Sequence, residues 1–142
     1  MKYHVILSIM SLVLLAAGLV ACKCGAVDLE DKDWVLESYG EQDDTQAVIE
    51  CSEITAIFDS ETHEVSGSAG CNHYFGNYEV DNGQLSITAL AYTEMACMEP
   101  EGVMEQEQQY LQLLILAESY ETEDGELRIT CSDGSVLVFR SN

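Results

Sequence analysis

Three turns constrain this chain most. Asp81-Asn82-Gly83, Glu123-Asp124-Gly125 and Asp133-Gly134 each set Asn or Asp before Gly. That pair suits tight hairpins, because both central residues tolerate left-handed backbone angles. Around the turns run short alternating segments. Trp34, Leu36 and Ser38 alternate with Val35, Glu37 and Tyr39, and Ile54, Ala56 and Phe58 alternate with Thr55, Ile57 and Asp59. Leu85 and Ile87 follow the first Asn-Gly turn. Alternation of this kind means antiparallel strands with one face on a core. Asp59-Ser60-Glu61-Thr62 turns the chain back toward Val65, while residues 40–46 read as a polar loop. The two late turns join a strand over 117–122 to one over 127–131, and that strand to one over 136–139.

One segment breaks the period of two. After Pro100, Val103, Tyr110, Leu111, Leu114 and Ala117 fall near helical spacing, flanked by Met104 and Glu107. Glu99, Glu101 and Glu105 crowd its start, where the helix dipole favours negative charge. The pattern predicts one helix over about 101–114. Many hairpin-linked strands with one helix imply a mainly β, α+β domain: a small antiparallel, barrel-like curled sheet with the helix packed on one side.

Residues 65–78 depart from plain alternation. Gly67, Gly70 and Gly76 interrupt residues suited to strands, and glycine within a strand marks a bulge, a bend or a close backbone approach. They bracket Cys71 and Asn72, so a corner is expected there. Beyond it, Tyr74 and Tyr78 share one strand face with Gly76 between them. Gly67-Ser68-Ala69-Gly70-Cys71-Asn72 and Thr93-Glu94-Met95-Ala96-Cys97 together resemble the META domain family of HslJ-like envelope proteins, whose pattern is Gly-Ser-x-x-Cys-Asn followed by Thr-x-Met-x-Cys before a helix. The likeness extends from Trp34-Val35-Leu36-Glu37-Ser38-Tyr39 to the closing hairpins. It implies the fold and a stress-associated envelope setting, but no defined activity.

The N-terminus reads as an export signal. Met1-Lys2-Tyr3-His4 precedes an apolar run over 5–15 that is short for a membrane span. It ends in Leu19-Val20-Ala21-Cys22, which looks like a bacterial lipobox, implying a lipid on Cys22 as the mature N-terminus and anchorage without spanning. Lys23 follows where an Asp would suggest inner-membrane retention, so the resemblance favours the outer membrane. The organisation expected is a lipoprotein signal over 1–21, a lipidated tether over 22–32 and a META domain over 33–142. The acidic cluster Asp28, Glu30, Asp31 and Asp33 lacks calcium-loop spacing and reads as solvated linker.

The chain holds 26 acidic residues against 5 basic ones, for a formal charge of −21. Such a surface repels nucleic acid and anionic headgroups and attracts cations and basic protein surfaces. A basic protein partner and a monomeric chain are expected.

An exported chain meets an oxidising compartment, where disulfides persist. The domain cysteines Cys51, Cys71, Cys97 and Cys131 allow three pairings. The family resemblance places Cys71 with Cys97, which leaves Cys51 with Cys131; Cys24 in the tether is left over. Zinc is the rival use of these thiols, but no C-x-x-C occurs and His73 is the one nearby imidazole. Cys71 and His73 share a strand face, so a Cys–His dyad is conceivable until a disulfide consumes the thiol. Gly67-Ser68-Ala69-Gly70 is neither a nucleophile elbow nor a phosphate loop. No cofactor, metal or catalytic residue is expected. The expected function is a non-enzymatic binding module with Tyr74, Tyr78, Asn72, Glu79 and Glu94 as its contact face. A lipocalin-like carrier using the sheet interior and a Cys/His thiol hydrolase are the alternatives.

Overall fold

The computed structural model describes residues 28–142. The signal segment, the lipidation site Cys22 and Cys24 lie outside the described residues. The chain forms β1 (Trp34–Glu41), β2 (Asp44–Ala47), β3 (Thr55–Asp59), β4 (Glu64–Ser68), β5 (His73–Asp81), β6 (Gln84–Tyr92), α1 (Val103–Ile115), β7 (Ala117–Glu123), β8 (Glu126–Cys131) and β9 (Ser135–Ser141). Every pairing is antiparallel, and β1 meets β9, so eight strands close into a barrel from which the β1–β2 hairpin projects. Closure removes most of the edges that an open sheet would expose.

The hairpins fall where the Asx-Gly pairs place them, with Asn82 and Gly83, and Asp124 and Gly125, at positive φ. The helix starts two residues later than the sequence pattern suggests and ends one later. Residues 40–46 correct the sequence reading. They are no simple loop but the tip of a hairpin in which Gly40 pairs with Thr45 and Glu41 with Asp44. All four β2 residues are exposed, so no apolar alternation marks the strand.

Inward positions of the strands fill the barrel. Trp34, Phe58, Tyr74, Tyr78, Tyr110 and Phe139 are the largest fully buried side chains. They close-pack rather than enclose a space, with Phe58 edge-on to Tyr78 and Tyr110 edge-on to both Tyr74 and Phe139. This overturns the lipocalin-like carrier, which needs an empty interior.

Both mouths are covered. The helix lies over the mouth where β3, β5 and β9 begin: Tyr110 Oη meets Tyr74 Oη at 2.7 Å, and Gln106 Nε2 donates to Ser52 Oγ at 2.8 Å. At the other mouth sits the segment that the sequence reading made a solvated tether. Its Leu29 is 1% exposed within the core. The indole of Trp34 donates to Leu29 O at 2.8 Å, Tyr78 Oη donates to Glu30 Oε1 at 2.7 Å, and Ser60 donates to Asp31 through both its amide and its hydroxyl. The folded domain therefore includes residues 28–33. One leucine among five charged neighbours carries no periodic signal, which is why the sequence hides it.

Candidate functional site

The glycine corner of the sequence is a locked joint. Gly70, at φ 113, swings the chain between β4 and β5. Cys71 then bonds to Cys97, closing a 26-residue separation across the β6–α1 loop. Loop-closure reasoning assigns such a bridge about 3.5 kcal/mol through the unfolded chain. Beside it Asn72 is buried, and its amide uses its whole hydrogen-bonding capacity. Nδ2 donates to Met95 O (3.1 Å) and Glu107 Oε1 (2.6 Å). Oδ1 accepts from Thr93 Oγ1 (2.8 Å) and Met95 N (2.7 Å). Glu107, buried on α1, also takes the Cys71 and Asn72 backbone N–H groups on Oε2, at 3.1 and 2.6 Å. Four segments thus meet at one side chain: the corner, the start of β5, the loop after β6 and the helix. Among the described residues no buried side-chain nitrogen or oxygen lacks a partner.

Asn72 and Glu107 are therefore structural, and the expected contact face does not form. Tyr74 and Tyr78 are each 1% exposed. Tyr74 Oη donates to Thr55 O (2.8 Å), and Tyr78 Oη also reaches Asp59 O (3.1 Å). Burial first of all raises both phenols well above the ordinary tyrosine range. The shared-face reading of the two tyrosines is correct, but the face is the inner one. Glu79 lies on the outer face of β5 and Glu94 is exposed in the loop after β6, so the five residues do not assemble. Glu107 was legible only as a carboxylate beside an apolar helical stripe; a charge that close to a core-facing stripe is the signal that marks it.

The pairing of Cys51 with Cys131 is also overturned: both are free thiols, Cys51 exposed and Cys131 buried. Cys51 adjoins Ser52, which bonds Gln106, whereas Cys131 Sγ donates to Leu113 O at 3.3 Å. Those helix positions are about two turns apart, roughly 10 Å at about 1.5 Å per residue, beyond the about 7 Å that a disulfide spans. Burial, then the nearby Asp133, pushes the Cys131 thiol up to about 12. A thiol in that state stays protonated and unreactive at neutral pH. Native protein at pH 8 should accordingly alkylate Cys51 readily and Cys131 only after denaturation, as read by peptide mass mapping. Equal labelling of the two in native protein would refute the placement. His73 is exposed next to a Cys71 already in a disulfide, so the Cys–His dyad has no thiolate. No group of three or more His, Cys, Asp or Glu among the described residues is arranged to hold a metal.

A further feature is one of several surface grooves. β6 meets β7 only with Gln84 opposite Ser119, and β7 begins at Ala117, so residues 87–92 of β6 run past its start. The helix lies beside this overhang. Between them is a groove of about 470 Å³, lined by Leu90 and Tyr92 from β6 and by Met104, Gln108, Leu111 and Ile115 along one helix stripe, with Glu105, Glu107 and Gln112. Tyr92 is 53% and Ile115 49% exposed. Its strand wall bulges at Ala89, φ 52. There Gly76 makes room, since a Cβ on it would approach Thr88 O to 3.0 Å and Leu90 Cδ1 to 3.2 Å. None of the basic side chains of the described residues lines the groove. Arg128 and Arg140 are engaged on β8 and β9 with Glu126 and Glu37.

A closed eight-stranded antiparallel barrel, helix over one mouth and a disulfide-locked corner beneath it, defines a class of small β-barrel domain. The META domain family matches residues 27–142, and the chain belongs to that family. An NMR structure of a protein from Burkholderia xenovorans is similar at 30% identity and TM-score 0.68, over 80% of this chain and 83% of that one. A second NMR structure shares the fold at 20% identity and TM-score 0.59, over 80% and 94%. No curated protein matches the chain.

Proposed function

We propose that this chain is a non-enzymatic binding module of the bacterial cell envelope, held to the outer membrane by lipid on Cys22 and acting in a stress-associated role. The observation that carries the binding reading is the half-exposed apolar groove between β6 and α1, set on a scaffold made rigid by the Cys71–Cys97 bridge and the Asn72–Glu107 bonds. Binding sites concentrate where irregular surface rests on such a support. The disulfide suits an oxidising compartment. Lipid is the natural attachment for so acidic a domain, because its charge repels anionic headgroups.

Two measurements test the reading. Wild type should incorporate labelled palmitate and fractionate with the outer membrane, and Cys22→Ala should abolish the label and leave the precursor uncleaved. Unlabelled, soluble wild type would overturn the anchor. For binding, a photo-crosslinking residue at position 92 should give partner adducts in envelope preparations, whereas one at position 140, on the β9 side, should not. Equal adducts from both positions, or none, would overturn the groove as the binding site.

A further inference from the structure

We infer that the groove takes an extended, cationic segment of a partner protein, which adds as a strand to the free edge of β6 and rests its apolar side chains on the helix stripe. The inference rests on the binding reading above and specifies its ligand. Strand addition follows from the topology. Every other neighbouring pair around the barrel is joined by a ladder, but the part of β6 beyond Ser86 has β5 on one side and no strand on the other. Its outward N–H and C=O groups are a template for another strand. Exposed edges are commonly blunted by Lys or Pro. This edge, Ile87-Thr88-Ala89-Leu90-Ala91-Tyr92, carries neither, and its one irregularity is the bulge at Ala89.

The groove dictates the side chains. A strand sends alternate residues to one face, and here that face meets Met104, Leu111 and Ile115 at helical spacing. The partner strand should therefore be apolar at every second position. Charge dictates the rest. All 26 acidic residues lie within 28–142, against three basic ones, Lys32, Arg128 and Arg140. Glu105 lines the groove, and Glu94 is exposed in the loop after Tyr92. The positions between the apolar ones should then be Lys or Arg, with attraction that weakens as salt rises.

The test uses the full mature chain and a synthetic eight-residue peptide alternating Val or Ile with Lys or Arg. Three analogues accompany it: one with alternate backbone amides N-methylated, one with Glu for the basic residues, and one scrambled to break the alternation. Binding is read by fluorescence anisotropy, and amide exchange is followed across residues 87–92. The alternating cationic peptide should bind, weaken with salt and slow exchange on β6. Each analogue should bind at least about tenfold more weakly, about 1.4 kcal/mol. Tyr92→Lys and Ile115→Lys, at exposed positions, should lower affinity at least about tenfold while the melting temperature and the Cys71–Cys97 bridge are retained.

Equal binding by the N-methylated or scrambled peptide would reduce the attraction to charge alone and overturn strand addition. Protection of β6 that grows with protein concentration, without peptide, would make the occupant a second copy and overturn the inference. Absence of peptide binding while position 92 still crosslinks a partner would overturn this ligand and leave the binding reading standing.

Discussion

Asn72→Asp should be among the most damaging single-atom changes this domain can take, lowering stability by about 4 kcal/mol or more at neutral pH. The substitution keeps the shape and exchanges the Nδ2 donor for an oxygen. That oxygen would face Met95 O and Glu107 Oε1, both acceptors, at the present 3.1 and 2.6 Å. A second carboxylate would then be buried beside Glu107, and an uncompensated buried charge costs about 3–5 kcal/mol, on top of the lost bonds. Asn72→Ala leaves no new charge and should cost about 2–3 kcal/mol through the unpaired Thr93, Met95 and Glu107 groups. The pH dependence separates the two variants. Burial and the neighbouring carboxylate raise the folded pKa of the introduced Asp above its unfolded value of about 3.9. Its penalty is therefore fullest above the folded pKa and recedes as pH falls through it, when the proton restores a donor. Denaturant titrations from pH 7 to pH 5 should show Asn72→Asp approaching wild type while Asn72→Ala does not. A pH-independent deficit, or one below about 1 kcal/mol, would refute the assignment of Asn72 as the donor that joins corner, loop and helix.

Gly67→Ala should destabilise comparably, by about 3 kcal/mol or more, for a steric reason. A methyl carbon on Gly67 would overlap the backbone carbonyl oxygen of Thr55 and fall 2.7 Å from its carbon. The obstacle is backbone, so no rotamer change relieves it, and overpacking at an unyielding site costs about 1–3 kcal/mol or more. The same carbonyl accepts the Tyr74 hydroxyl, and Gly67 pairs with Tyr74 across β4 and β5, so displacement of β3 disturbs the core tyrosine as well. Gly134→Ala is the control. Its φ of 88 carries a left-handed penalty of about 1–2 kcal/mol, but the added carbon meets nothing within 4 Å. Thermal melts should rank Gly67→Ala well below Gly134→Ala; the reverse order would mean that β3 and β4 can part at no cost.

These two expectations rest on residues that the chain advertises in different ways. Gly67 and Asn72 stand in a stretch whose glycines break an otherwise regular strand pattern, so a corner was readable there. That Gly67 is needed for its contact with Thr55 was not, because the two strands meet only in the fold. Family likeness pairs Cys71 with Cys97, and the structure joins them. The second pair, which follows by elimination, does not form, since nothing in spacing reports that Cys51 and Cys131 sit at different ends of the helix.

The sequence by itself determined the antiparallel strands, their Asx-Gly hairpins, the helix before β7 and the parity that puts Tyr74 and Tyr78 on one face. These depend on local backbone preference and on periods of two and 3.6. Only the tertiary structure decided which face is inner, that Leu29 plugs a mouth, that Glu107 holds the corner and that β6 outruns β7. Each of these depends on where the barrel closes, and closure brings together β1 and β9, segments a hundred residues apart whose mutual register no local pattern encodes.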